Sequence, residues 1–199
     1  IKDVNTDAIK IAGGLQPTAD PYSVFERFPL VDYFIGGESE FVLADFAEQF
    51  QNERKFSEVK GLIRKEGNKV IINSIQSLIS NLDDIPPYDY SLFDKRIFYR
   101  AYNGKIVKAV DYELSRGCVY ACSYCVETTI QNYYGFSETT ESGVLKNANQ
   151  YLRHKSANRI FSELEKNYES FGIELFRCQD TNFLTIDQYT LLELSDLME

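Results

Sequence analysis

The chain has no tryptophan, one histidine and one methionine among its 199 residues. It has no run of Lys and Arg that could follow a phosphate backbone, and its formal net charge is −9. Nucleic acid is therefore not an expected partner. No uninterrupted apolar stretch approaches the roughly 20 residues that span a bilayer, so no membrane association is expected. No segment combines the basic start and apolar core of a signal peptide. No internal repeat and no low-complexity tract is present. Cysteine is sparse too, with four residues, and three of them fall within eight positions. That is not a secreted disulfide framework. It reads as thiols kept reduced for a metal, which points to the cytoplasm.

What is present fits an ordered α/β protein, with 44% hydrophobic residues. The apolar run 8–12 ends at Gly13-Gly14, as a buried parallel strand closing in a tight turn would. Asp20-Pro21 reads as an N-cap followed by proline at the first helical position, opening a short helix through Val24 and Phe25. Val31 to Ile35 is a second strand ending at Gly36-Gly37. Ser39 starts the next helix, with Leu43, Phe46 and Phe50 on one face. Strand, glycine turn and helix thus occur twice, as in half of an open α/β sheet.

Residues 56–105 read differently. Gly61 to Asn73 has the pattern of a hairpin around Lys65-Glu66-Gly67-Asn68. Pro86-Pro87, followed by Tyr88, Tyr90 and Phe93, reads as an extended aromatic connector. From Ile106 the α/β pattern resumes with a strand over 106–114. The polar stretch 127–150 has no clear period and is expected to be a long loop. Ser156 caps a helix carrying Phe161, Leu164, Tyr168 and Phe171, which Gly172 stops. Ile173 to Cys178 is a strand, and Thr185 with Gln188 forms a capping box for the last helix. That helical pattern still runs at Glu199 and the first residue is Ile1, so the chain is expected to be an excerpt with sequence on both sides.

The segment Ser115-Arg116-Gly117-Cys118-Val119-Tyr120-Ala121-Cys122-Ser123-Tyr124-Cys125 concentrates the chemistry. Three thiols this close do not readily pair as disulfides, and one would be left over. A structural zinc site wants four closed ligands, and the nearest further candidates are His154 and the distant Cys178. Three ligands on a 4Fe–4S cluster would leave one iron open to substrate. A zinc-stapled interaction module and a closed electron-transfer or regulatory iron–sulfur protein are the alternatives. His154, in a polar run, reads as a solvated side chain, and Cys178 as a core residue.

C-x3-C-x2-C with an aromatic before the third cysteine, on a loop after the first strand of an α/β unit, resembles the radical S-adenosylmethionine superfamily. The preceding Ser-Arg-Gly resembles its cobalamin-associated branch. That resemblance implies a 4Fe–4S cluster on Cys118, Cys122 and Cys125, with S-adenosylmethionine chelated at the open iron. Reductive cleavage to a 5′-deoxyadenosyl radical would follow, for methyl transfer or a radical rearrangement on an unreactive carbon. Tyr124 corresponds to the aromatic near the adenine.

Gly13-Gly14, Pro17-Thr18, Val31 to Ile35 and Gly37-Glu38-Ser39-Glu40 are similar, in that order, to the end of a cobalamin-binding domain. There Gly13 and Gly14 would let backbone approach the cofactor closely. Tyr151 to Ser156 resembles the approach to the first barrel helix, and Phe176 to Leu184 the end of the second barrel strand. Asp180 and Asn182 would there contact the amino group of S-adenosylmethionine or the substrate; a local strand-end turn is the alternative.

The implied architecture is α/β: the C-terminal part of a Rossmann-like cobalamin-binding domain over 1–55, a linker with hairpin over 56–105, and the N-terminal part of a radical S-adenosylmethionine (β/α) barrel over 106–199. The implied partners are a small-molecule or peptide substrate and an electron donor such as flavodoxin or ferredoxin. No single residue stands out as a general acid, base or nucleophile.

Overall fold

The computed structural model describes residues 7–52 and 55–199. Residues 1–6 and 53–54 of the expected 1–55 domain lie outside the described residues. The chain forms two compact units. One comprises the described residues up to Ile79 together with Ala121–Thr139, and the other comprises Ser80–Tyr120 and Thr140–Glu199. The segment 56–105 is thus divided between them.

In the first unit, β1 (Ile11–Ala12) pairs in parallel with β2 (Tyr33–Ile35). Gly13 and Gly36 directly follow these strands, at their carboxyl ends. Between them lie the short helices α1 (Leu15–Ala19) and α2 (Val24–Arg27). Asp20 does not open a helix; it ends α1, and its carboxylate accepts the hydroxyl of Ser23, the residue before α2. Helix α3 (Glu40–Gln51) follows β2. Val42 and Phe46, one turn apart, face inward, whereas Leu43 is exposed because it sits about 100° around the helix from Val42.

The expected hairpin is present as β3 (Leu62–Glu66) and β4 (Lys69–Ile72), turning at Gly67-Asn68. It extends the sheet instead of bridging domains. β3 pairs antiparallel with β2, giving the order β1-β2-β3-β4. Successive strand residues point to opposite faces, so one face carries Phe34 and Ile63 against Val24 and Phe25. The other carries Ile35 and Leu62 against Val42, Phe46 and Val59. Burial on both faces explains the unbroken apolar run of β2.

Helix α4 (Glu127–Tyr133) belongs to this unit and falls in the stretch expected to be loop. Its inward positions include the polar residues Glu127 and Gln131, so no apolar stripe marks it in the sequence.

The second unit begins with single helical turns at Leu82–Asp84, Tyr90–Leu92 and Lys95–Phe98. The side chains of Asn81, Asp89 and Asp94 cap them in turn. The aromatic connector is thereby packed, with Tyr90 and Phe98 against Phe171. Strands β5 (Tyr99–Tyr102) and β6 (Lys105–Tyr112) form a hairpin whose turn residues, Asn103 and Gly104, are both left-handed. After β6 come β7 (Ser115–Arg116), α5 (Ala148–Tyr151) and β8 (Arg153–His154), with β7 and β8 antiparallel.

Helix α6 (Ala157–Phe171) then leads to β9 (Leu175–Cys178), parallel to β6, and α7 (Gln188–Met198) completes the unit. β6-α6-β9 is a strand–helix–strand crossover in a sheet of order β5-β6-β9. Its core joins Tyr112 and Leu114 to Ala157, Ile160, Ile186 and Leu194. The last helix is capped by Asp187, which accepts the Thr190 amide; Thr185 lies in the preceding 3-10 turn instead. Among the described residues no helix is long and apolar enough to cross a membrane.

Both ends of α6 follow the sequence expectation. Ser156 Oγ accepts the Arg159 amide at 3.2 Å, and Gly172 is left-handed at φ 65°. Ser156→Ala should lower stability by about 1 kcal/mol through loss of that cap. A urea midpoint unchanged from wild type would show that the cap contributes nothing.

Candidate functional site

The cysteine loop leaves the carboxyl end of β6, and its two halves belong to different units. In the second unit, Asp180 organises the approach. Its Oδ1 accepts the Leu114 amide at 3.1 Å, the Ser115 amide at 2.5 Å and the Ser115 hydroxyl at 2.6 Å. Asp180 thus joins the turn after β6 to the end of β9. Its other oxygen, Oδ2, is buried without a hydrogen-bond partner among the described residues. Gly117 has φ 89°, and a Cβ there would lie 2.5 Å from the Tyr151 carbonyl oxygen, so only glycine fits. Cys118 is buried, and its sulfur accepts the Tyr120 amide at 3.5 Å. Asn182 is half-buried beyond β9, and its carbonyl accepts both the amide and the hydroxyl of Thr185.

In the first unit, Cys122 and Cys125 are half-buried and share one turn. The Cys122 carbonyl accepts the Cys125 amide at 3.0 Å and the Thr128 hydroxyl at 2.8 Å. That turn leads directly into α4. The side chain of Tyr124 is 91% exposed, and the charge and hydrogen bonding of the Cys122 sulfur push its phenol up. Gly14 has φ 103° with open space where a Cβ would stand, and Gly13 would contact only Ile35 and Ser39.

None of the four cysteines is in a disulfide. Among the described residues no point gathers three His, Cys, Asp or Glu side chains for a metal. Closing three thiolates on one point is favourable when a metal offsets their desolvation and repulsion, so metal binding and local folding are coupled. The donor set of the motif, three thiols with no fourth ligand within it, fits a cluster with one open iron better than a closed four-ligand zinc site. Cys178 does not lie in the core. It is at the surface, and partial desolvation with the nearby Asp180 charge pushes it up, away from the thiolate form. His154 is half-buried in β8 rather than fully solvated.

Sequence reasoning missed the buried polar cluster under the end of β6. Glu163 Oε2 accepts Tyr112 Oη at 2.6 Å and Lys155 Nζ at 2.8 Å, while Glu163 Oε1 accepts Arg159 Nε. Lys155 Nζ also lies 4.4 Å from the centre of the Tyr112 ring. Burial pushes the Glu163 carboxyl up, but hydrogen bonds from Lys155, Tyr112 and Arg159 outweigh it and hold it below the ordinary carboxylate range. Burial, followed by the Glu163 contact, pushes the Tyr112 phenol well up. The available signal was Glu163 falling on the stripe Ile160, Glu163, Asn167. The structure buries that stripe and leaves Tyr168 exposed.

No protein-family model matches the chain. It is 25% identical over 174 residues to the anaerobic magnesium-protoporphyrin IX monomethyl ester cyclase of Synechocystis, covering 87% of this chain and 30% of that protein. It is 26% identical over 127 residues to the cobalamin-dependent radical SAM methyltransferase TokK of Streptomyces tokunonensis, covering 63% of this chain and 18% of that protein.

Two solved structures share the fold. The cobalamin-dependent S-adenosylmethionine radical enzyme OxsB superposes with a TM-score of 0.64 at 19% identity, over 94% of this chain and 24% of that one. The radical S-adenosylmethionine methyltransferase TsrM from Kitasatospora setae superposes with a TM-score of 0.59 at 20% identity, over 96% of this chain and 33% of that one. The chain therefore spans a third or less of the length of these relatives. In sequence the chain is thus similar to an anaerobic cyclase and to a cobalamin-dependent radical SAM methyltransferase, and it shares its fold with OxsB and TsrM.

Proposed function

We propose that this chain carries the cluster-binding part of a radical S-adenosylmethionine enzyme linked to cobalamin, acting by methyl transfer or radical rearrangement. The observation that carries this reading is the placement of C-x3-C-x2-C in the loop that follows β6 and the short β7, β6 being the first strand of a strand–helix–strand crossover. Cys118, Cys122 and Cys125 would hold a 4Fe–4S cluster as thiolates. When bound, the cluster supplies an open iron for the amino and carboxylate groups of S-adenosylmethionine and the electron that breaks its sulfonium bond.

The remaining work belongs to side chains of this protein. Asp180 sets the Leu114–Ser115 turn ahead of Cys118. Its orphaned Oδ2, at the carboxyl end of the parallel pair, is an acceptor for a ligand ammonium. Asn182 stands two residues on, and Tyr124, exposed beside Cys122, offers a ring for the adenine. Gly13 and Gly14 would face cobalamin, since a backbone without a Cβ at a strand's carboxyl end admits a close ligand. A flavodoxin or ferredoxin would deliver the electron.

The test is anaerobic reconstitution with iron and sulfide, then reduction in the presence of S-adenosylmethionine. About four irons per chain and broad visible absorption are expected; spanning a third or less of its relatives, the chain is expected to be inactive by itself, and release of 5′-deoxyadenosine is expected from a protein of their full length. A stable zinc stoichiometry without that absorption would overturn the reading. A cluster that leaves S-adenosylmethionine intact in that longer protein would move the chain to electron transfer or regulation.

A further inference from the structure

The Gly36-Gly37 turn, at the carboxyl end of β2, is occupied from within the same unit by two tyrosines at the end of α4. A Cβ on Gly36 would stand 2.9 Å from Tyr133 Oη, and one on Gly37 would collide with Tyr134 Oη. Gly37 is also left-handed, at φ 79°. The glycines are therefore needed to seat these rings. Tyr134 Oη accepts the Glu38 amide at 2.6 Å. The neighbouring Gly37 amide donates to Thr18 Oγ1 at 2.8 Å, and that hydroxyl donates to the Gly14 carbonyl at 2.8 Å. These hydrogen bonds, joined through the Gly37–Glu38 backbone, link Tyr134 to both glycine turns of the parallel strands.

At its other end α4 emerges from the cysteine turn. The Thr128 amide reaches back to the Cys125 carbonyl at 3.2 Å, and the Thr128 hydroxyl to the Cys122 carbonyl at 2.8 Å. The helix closes sharply beyond Tyr133. Gly135 is left-handed, the Phe136 amide bonds the Gln131 carbonyl at 2.8 Å, and the Gly135 amide bonds the Asn132 carbonyl at 3.0 Å. This double closure holds Tyr134 rigidly on the helix end. Gln131 on the same helix is fully buried.

We infer that Tyr134 is a positioning residue that ties the Cys122–Cys125 half of the cluster motif to the glycine turns at the carboxyl edge of β1 and β2. Two thiols of the motif and the backbone facing a ligand at that edge then share one rigid support, helix α4. The functional meaning rests on the cluster proposed above; the mechanical link does not.

The experiment follows both. In the metal-free chain, alkylation rates of Cys122 and Cys125 are read by mass spectrometry, with exposed Cys178 as the internal reference. Tyr134→Phe removes one hydrogen bond, so the rates at Cys122 and Cys125 should rise about two- to tenfold relative to Cys178, with the unfolding midpoint nearly unchanged. Gly37→Ala should do the same or more. In the reconstituted chain, Tyr134→Phe should lose iron to a chelator faster than wild type. Unchanged rates at Cys122 and Cys125, or an equal rise at Cys178, would overturn the inference. Wild type that binds no iron would overturn the cluster reading alone, because the thiol rates still report on Tyr134.

Discussion

Replacing Cys118, Cys122 or Cys125 by alanine should each abolish cluster binding, taking iron and sulfide from about four of each per chain to background. The loss should be complete because a thiolate removed from a three-ligand set leaves a second iron without a protein ligand. Cys178→Ala should retain full iron. Its sulfur stands at the end of β9, and desolvation together with Asp180 disfavours the thiolate. The four variants therefore separate a defined ligand set from nonspecific iron on reactive thiols. Iron analysis and visible absorption after anaerobic reconstitution make the measurement. Retention of the cluster in any of the three motif variants would sink the ligand assignment, and loss in Cys178→Ala would add a fourth ligand.

Glu163→Ala should cost about 3–5 kcal/mol of stability, because it leaves Lys155 as a buried cation without its carboxylate. The two side chains are 7% and 8% exposed. The strongest check is the double variant Lys155→Met with Glu163→Leu, which removes both charges and should recover most of the loss. The pair also predicts an acid dependence. The folded-state pKa of Glu163 is depressed, so its contribution is fully present above the ordinary carboxylate range and is lost as pH falls through the folded value. Wild type should therefore lose more stability than Glu163→Gln on acidification below about pH 4. Urea midpoints measured across that range decide it, and parallel pH profiles for the two proteins would remove the ion pair from the account.

Elements governed by neighbouring residues are legible in the sequence itself. β2 shows as a short apolar run, and the β3–β4 turn shows as Gly67-Asn68 between apolar flanks. Ser156 and Gly172 mark α6 because capping is chemistry between residues three or four apart. The cysteine spacing is likewise local, and the proposed metal site rests on it. The order strand, glycine turn, helix suffices for an α/β class.

Tertiary structure decided whatever depends on partners far along the chain. The hairpin β3–β4 joins β2 antiparallel, since pairing is chosen by available edges and shared faces and leaves no local signature. The helical stripe places Glu163 inward, but its charge can be buried only because Tyr112, 51 positions earlier, and Lys155 satisfy it. Helix α4 was hidden for the same reason: it turns Glu127 and Gln131 inward, so its buried face is polar. Asp180 reads as a strand-end turn until its contacts with Leu114 and Ser115, 66 and 65 positions away, make it the fastening of the cysteine approach. The glycines of β1 and β2 were legible as turns, but what fills the space at Gly36-Gly37 was set only when Tyr133 and Tyr134 came to rest there, across 96 positions from Glu38 to Tyr134. Local sequence specified which residues are candidates for the chemistry, and long-range packing specified what holds them, because desolvation and pairing are settled only when distant segments meet.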